Sequence, residues 1–230
     1  MNLTKIKGIL FDLDDTLFDC TGQLTGAARQ RAAKVINAEV PALNVPKLIQ
    51  AQETLSQTLG SAGALKDIGQ QHALSQTLID QARAAYNLNL VEDITAFPDT
   101  LTTLEQLAKR GYQLALVTSG HPARQRRKVK ILHLTLFFDE KNGTLVLHDD
   151  RESADKTPFI QQAAKQINLP NDTLLAVGDK LDAEISAANT LGMMTVRMRH
   201  GRQKKRVPQT PAEHPDIEID SLAELLDLLP

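Results

Sequence analysis

The sequence predicts an α/β protein: a doubly wound parallel sheet into which an all-helical domain is inserted. Three observations predict it. From Pro98 onward, short apolar runs alternate with helical patterns, as in strand–helix–strand crossovers. Residues 19–91 carry apolar residues at helical spacing only, with no strand-like run. Three of the predicted strands end in acidic or hydroxyl residues, and ligands of open α/β sheets bind at the carboxyl ends of strands.

Ile6 to Leu13 is short, apolar and β-branched at Ile6 and Ile9, which predicts a buried strand. Leu24, Ala28, Ala32, Val35 and Ile36 then repeat at helical spacing up to Val40. Leu48, Ala51, Leu55 and Leu59 do so again, as do Leu74, Leu78, Ala82 and Ala85, with Gly60, Gly63 and Gly69 as punctuation. Pro98 and Asp99 open a helix over Leu101, Leu104 and Ala108 that Gly111 ends. "YQLALVTSG" (112–120) predicts a strand, followed by a helix around Arg124 to Leu134 and a short Phe137-Phe138-Asp139 segment. "NGTLVLHDD" (142–150) predicts a hairpin turn and a strand. A helix over Thr157 to Ile167, the strand "DTLLAVGD" (172–179) and a helix from Glu184 to Leu191, closed by Gly192, come next. The strand "MMTVRM" (193–198), the short strand "IEI" (217–219) and a helix from Ser221 to Leu229 complete the chain. The expected organisation is a Rossmann-like core over 1–18 and 92–230, with a helical cap over 19–91.

A chain of 230 residues can bury one core and support a smaller second domain, and 42% hydrophobic residues suit a globular protein. The net charge of −2 carries no nucleic-acid signature. The single cysteine, Cys20, forms no intrachain disulfide and fits a reducing compartment. No stretch approaches the roughly 18 apolar residues of a membrane span, and the N-terminus lacks the apolar core of a signal peptide. A cytoplasmic protein with neither nucleic acid nor membrane as partner is expected; oligomeric state is not readable. Arg124, Arg126, Arg127, Lys128 and Lys130 form one basic run, and Arg199, Arg202, Lys204, Lys205 and Arg206 another. Both read as solvated faces. The six histidines show no metal-ligand spacing, although His121 follows a strand end closely.

Four aspartates, Asp12, Asp14, Asp15 and Asp19, crowd the end of the first strand without a basic neighbour. On an extended chain Asp12 and Asp14 project to one side while Leu13 points away. Asp179 arrives from another strand end. Three acids in one pocket raise each other's pKa values unless a cation sits among them, and Mg2+ suits carboxylate oxygens and shares phosphate oxygens readily. Lys156 adds a second positive charge, Thr118 a hydroxyl, and Ser119 and Gly120 lie where backbone N–H groups bind anions. A carboxylate can then attack phosphorus and form an aspartyl-phosphate.

"DLDDT" (12–16), "LVTSG" with Thr118, "ADK" with Lys156 and "VGDKLDAEISAANTLGM" (177–193) resemble, in order, the four motifs of the haloacid dehalogenase-like hydrolase superfamily; the position of the inserted block resembles its helical-cap subclass. The resemblance implies that Asp12 is the nucleophile and Asp14 the general acid, then base. Thr118 would bind the phosphoryl group, Lys156 would neutralise charge, and Asp179 would hold magnesium with Asp12 and the backbone carbonyl of Asp14. Two departures stand out. The last motif commonly places a second Asp where this chain has Glu184, and Asp182 is an alternative. Thr157 also separates Lys156 from Pro158.

The implied activity is a magnesium-dependent phosphatase acting on a small phosphorylated metabolite, with the cap covering the site and selecting the substrate. A sugar phosphate, phosphoglycolate and a nucleoside monophosphate all remain candidates. A phosphomutase would use the same residues. A dehalogenase would not need the acid Asp14, because a halide leaves without a proton. A non-catalytic phospho-ligand-binding protein would have no need of the full set.

Overall fold

The computed structural model describes residues 2–88, 91–149 and 155–230. Asn89 and Leu90 of the predicted helical block, Asp150 of the predicted strand segment and Ala154 of the lysine motif lie outside the described residues. The chain divides into two compact units, residues 1–20 with 91–230, and residues 21–90.

Among the described residues the first unit holds six strands: β1 (Gly8–Phe11), β2 (Gln113–Ser119), β3 (Leu145–His148), β4 (Leu174–Gly178), β5 (Met194–Met198) and β6 (Ile217–Ile219). The helical unit contains α1 (Gly26–Glu39), α2 (Val45–Gln71) and α3 (Gln76–Tyr86). Helices α4 (Thr100–Lys109), α5 (Pro122–Ile131), α6 (Thr157–Gln166), α7 (Ser186–Thr190) and α8 (Leu225–Leu228) belong with the sheet. All strand pairs are parallel and the order is β3-β2-β1-β4-β5-β6. That order reverses direction beside β1, where β1 and β4 are neighbours, and such a switch point opens a crevice at the strand ends. β1 and β4 are buried along their whole length, as central parallel strands covered on both faces require. Leu10, Ala115, Val117, Val146 and Ala176 pack with Ile160, Ala163 and Ala164 of α6. Side chains of the other parity point away from α6. α4 buries Leu104 and Leu107 and packs against β2 and α8.

One expectation is corrected. The turn at Asn142-Gly143 does not close a hairpin, because β3 pairs in parallel with β2, Thr118 opposite Leu147 and Ser119 opposite His148. α5 provides the crossover that a parallel pair needs. The loop between is pinned by Phe138, which is buried, with its ring 6.4 Å from that of Phe11.

In the helical unit α1 packs on α2 and α3 around Ala32, Ala33, Ile36, Leu48, Leu65, Ile68 and Ala82. Of the three glycines that punctuate this stretch, Gly60 is the break: its φ of 66° and ψ of 172° kink α2. Gly69 stays helical and serves packing instead, since a Cβ there would lie 2.7 Å from Ile79 Cγ1. Among the described residues no helix is long and apolar enough to cross a membrane.

Candidate active site

The register of β1 beside β4 brings the two acidic strand ends together: the Asp12 N–H donates at 2.9 Å to the carbonyl of Val177, two residues before Asp179. Lys156, just ahead of α6, donates from Nζ to Asp12 Oδ1 at 2.6 Å and to Glu184 Oε1 at 2.6 Å, all three side chains being buried. The Lys180 N–H donates to Glu184 Oε2 at 3.3 Å. Gly178 makes room for this: a Cβ there would lie 2.8 Å from the Glu184 side chain and 3.5 Å from Asp12 Cβ. Glu184, and not Asp182, is therefore the second acid of the last motif in the cluster. Asp182 is exposed and pairs with Arg206 Nη1 at 2.5 Å.

Among the described residues, Asp12 Oδ2 and both carboxylate oxygens of Asp179 are buried without a hydrogen-bond partner. Burial raises the Asp12 pKa, against the pull of Lys156, to about 6. Burial also holds the Asp179 pKa well above the usual carboxylate range, against Lys180, with Glu184 and Asp12 adding to the rise. For Glu184 the burial penalty is outweighed by Lys156 and Lys180, and its pKa falls to about 2. Burial pulls the Lys156 pKa down, but Asp12 and Glu184 more than offset it, so Lys156 stays charged. Three partnerless buried carboxylate oxygens are unfavourable on their own. An all-oxygen set of this kind fits a hard divalent cation.

Asp14 faces a different environment. Lys128 Nζ donates to both Asp14 carboxylate oxygens, at 2.7 and 2.6 Å. Burial alone would raise the Asp14 pKa, but Lys128, by charge and hydrogen bond, brings it below the ordinary value. Gln125, one turn earlier on α5, donates from Nε2 to Thr118 Oγ1 at 2.6 Å and to Ser119 O at 2.9 Å, with Asp14 Oδ2 at 3.5 Å. The Thr118 hydroxyl accepts in that bond, which leaves its own hydrogen to donate to an anion. Ser119 Oγ is bonded to His148 Nδ1 at 2.9 Å. Gly120 has φ 131°, and its N–H donates to His148 O at 2.9 Å, so that N–H is already committed.

Reading the first basic run as a solvated face missed Lys128 and Gln125. Lys128 is only 2% exposed, while Arg126 pairs with Glu140 and Arg127 with Glu92 and the carbonyl of Val91 at the surface. A signal was present: Lys128 lies three residues beyond Gln125, on the same helical face as a polar residue one turn from the Thr118-Ser119-Gly120 strand end. The second run lies at the surface, with Arg202, Lys204 and Lys205 exposed. Arg206 pairs with Asp182 and Glu213, and Arg199 with Asp220. His121 precedes α5 and is exposed. Asp15, Asp19 and His200 place ligand atoms within 4.8 Å of one another, with His200 Nε2 3.2 Å from Asp19 Oδ1. Burial, with the Asp14 charge, pushes the Cys20 thiol pKa up, which suppresses its thiolate.

The family model described as haloacid dehalogenase-like hydrolase matches residues 6–192. The glyceraldehyde 3-phosphate phosphatase of Methanopyrus kandleri is 31% identical, the match covering 97% of both chains. The phosphoglycolate phosphatase of Aquifex aeolicus is 26% identical, again over 97% of both chains. The crystal structure of a predicted phosphoglycolate phosphatase from Haemophilus somnus superposes with a TM-score of 0.74 at 20% identity, covering 99% of each chain.

Proposed function

This chain belongs to the haloacid dehalogenase-like hydrolase family, and on that premise we propose that it is a magnesium-dependent phosphatase of a small phosphorylated metabolite. The observation that carries this reading is the set of three buried carboxylate oxygens without a partner among the described residues, Asp12 Oδ2 and both of Asp179, at the switch point of the sheet, with Lys156 on Asp12 Oδ1. The relatives named glyceraldehyde 3-phosphate phosphatase support a three-carbon phosphate as the first substrate to try. The unit over 21–90 serves as a substrate-selecting cap, and the single thiol suits a cytoplasmic setting.

In this reading Asp14, ionised beside Lys128 in the free protein, takes up a proton from solvent when the anionic substrate binds; an Asp12 carboxylate oxygen attacks phosphorus, the bond from phosphorus to the ester oxygen breaks, and Asp14 gives that oxygen the proton. The alcohol leaves, and Asp12 carries the phosphoryl group as a mixed anhydride. Asp14, now ionised, takes a proton from water as the water oxygen attacks phosphorus; inorganic phosphate departs and Asp12 is restored. Thr118 donates its hydroxyl hydrogen to a phosphoryl oxygen. Ser119 and Gly120 shape the strand end beside it. Lys156 balances the charge of Asp12 and of the phosphoryl group, and Glu184 holds Lys156 in place. Asp12, Asp179 and the backbone carbonyl of Asp14 would hold the Mg2+, which supplies charge neutralisation on the transferred group.

A screen of phosphorylated metabolites, beginning with glyceraldehyde 3-phosphate and phosphoglycolate, tests this. Phosphate release with Mg2+ and none with chelator is expected. An isomerised sugar phosphate without phosphate release would make the protein a mutase. Turnover of no ester would make it a binding protein.

A further inference from the structure

We infer that Gln125 is a positioning residue for phosphoryl binding: its side-chain amide makes the Thr118 hydroxyl an acceptor toward the protein and so leaves the hydroxyl hydrogen for the phosphoryl group. The inference rests on the proposed function, in which Thr118 binds that group.

The polar groups at the end of β2 have different fates. The Gly120 N–H is spent on His148 O, and Ser119 Oγ on His148 Nδ1, both at 2.9 Å. The His148 ring is buried and stacks on Phe159 at 4.1 Å between centroids. The strand end is therefore closed on the β3 side. Thr118 is 1% exposed, and among the described residues its Oγ1 has one hydrogen-bond partner, Gln125 Nε2 at 2.6 Å.

Which group donates in that bond decides what Thr118 can do. The same Gln125 atom lies 2.9 Å from the Ser119 carbonyl oxygen, and a carbonyl only accepts. The atom is thus the amide nitrogen rather than the amide oxygen, and its two hydrogens serve Ser119 O and Thr118 Oγ1. Asp14 Oδ2 stands farther off, at 3.5 Å. Gln125 is itself 1% exposed, so the amide has no water to turn toward. Thr118 accepts, and its own hydrogen sits in a buried place without an acceptor among the described residues. A phosphoryl oxygen at the strand end supplies the acceptor. An amide oxygen in the place of the nitrogen would draw the hydroxyl hydrogen back to position 125.

The test is a double-mutant cycle read on phosphate itself. The Kd of inorganic phosphate is measured by titration calorimetry, with Mg2+ present, for the wild type, Thr118→Val, Gln125→Met and the double variant. kcat/KM is measured alongside on the best ester of the metabolite screen. Thr118→Val removes a donor to a charged group and is expected to raise Kd about 10- to 100-fold. Gln125→Met, close in shape but without the amide, should raise it about 5- to 10-fold. In the Thr118→Val background the same change should matter less than about 2-fold, because the hydroxyl it acts on is gone. If Gln125→Met does not fold, Gln125→Leu carries the comparison. A folded Gln125 variant that binds phosphate as the wild type does overturns the inference. So does a Gln125 effect of full size in the Thr118→Val background, which would run through Asp14 or the loop. An unchanged Kd in Thr118→Val overturns it as well, since Thr118 then binds no phosphoryl group. The proposed function fails separately: coupling of the two residues in phosphate binding, with no ester turned over, supports the inference and makes the protein a binding protein. A wild type that neither binds phosphate nor releases it ends both.

Discussion

The loops that follow β1 and β4 are built alike and loaded differently. Each presents at the strand end a buried carboxylate with oxygens that lack a partner among the described residues, one in Asp12 and both in Asp179, and then a second carboxylate gripped by a lysine, Asp14 or Glu184. The gripped acids differ in access: the Asp14 side chain is 25% exposed and that of Glu184 5%. Their lysines differ too. Lys156 is shared between Glu184 and Asp12, whereas Lys128 reaches Asp14 from a separate helix. The contrast teaches that exposure alone does not sort the acids, because the Asp12 side chain is 3% exposed and that of Glu184 5%. In the proposed function both acids of the loop after β1 react, whereas in the loop after β4 one would hold the cation and the other orients Lys156.

Substitutions can break or sharpen this contrast. Asp12→Asn removes the proposed nucleophile and should lower turnover by at least about 10⁴-fold. Circular dichroism should report an intact fold, and retention of more than about one per cent of activity would place the nucleophile elsewhere. Asp14→Asn should cost about 10²–10⁴-fold in kcat/KM on an alkyl ester, and it should also lower the thermal midpoint because the buried Lys128 ammonium loses its partner. Glu184→Gln should act mainly on stability. Breaking a buried pair costs about 3 kcal/mol, or roughly 6–12 °C in a chain of this size, measured by thermal melting. A Glu184→Gln protein that melts normally but has lost activity as Asp14→Asn has would erase the difference between the loops.

The cation tests the partnerless pair. Because burial raises the pKa of Asp12 to about 6 and that of Asp179 as well, protons compete with the ion at low pH. The rise in melting temperature on adding Mg2+ should therefore grow as pH increases from about 5 to about 7.5; the sign follows because deprotonation uncovers the ligand oxygens. An increment independent of pH contradicts the assignment. The smallest effect is expected at the surface. Arg126→Ala breaks an exposed pair with Glu140 and should change stability by under about 0.5 kcal/mol.

The sheet was legible because its strands announce themselves as short apolar runs between helical patterns, and their polar ends mark the carboxyl edge. Asp12, Thr118, Lys156 and Asp179 were legible through their order along those ends. The parallel pairing of β3 was not, because Asn142-Gly143 is the local signal for a hairpin, and pairing direction is decided by the crossover helix rather than by the turn. The choice of Glu184 over Asp182 was also hidden. It depends on a turn that sends one acid under Gly178 and the other out to Arg206. Lys128 was concealed by composition: within a run of five basic residues it is the one that turns inward, and charge alone carries no direction.

The most direct measurement is the site of phosphorylation during turnover. Wild-type enzyme mixed with substrate and Mg2+ is quenched in acid, reduced with borohydride, and its peptides sequenced by mass spectrometry. Reduction of an aspartyl-phosphate leaves homoserine, and the account predicts homoserine at position 12 alone, absent without substrate. Homoserine at another acidic position, or active enzyme in which Asp12 is never modified, contradicts it.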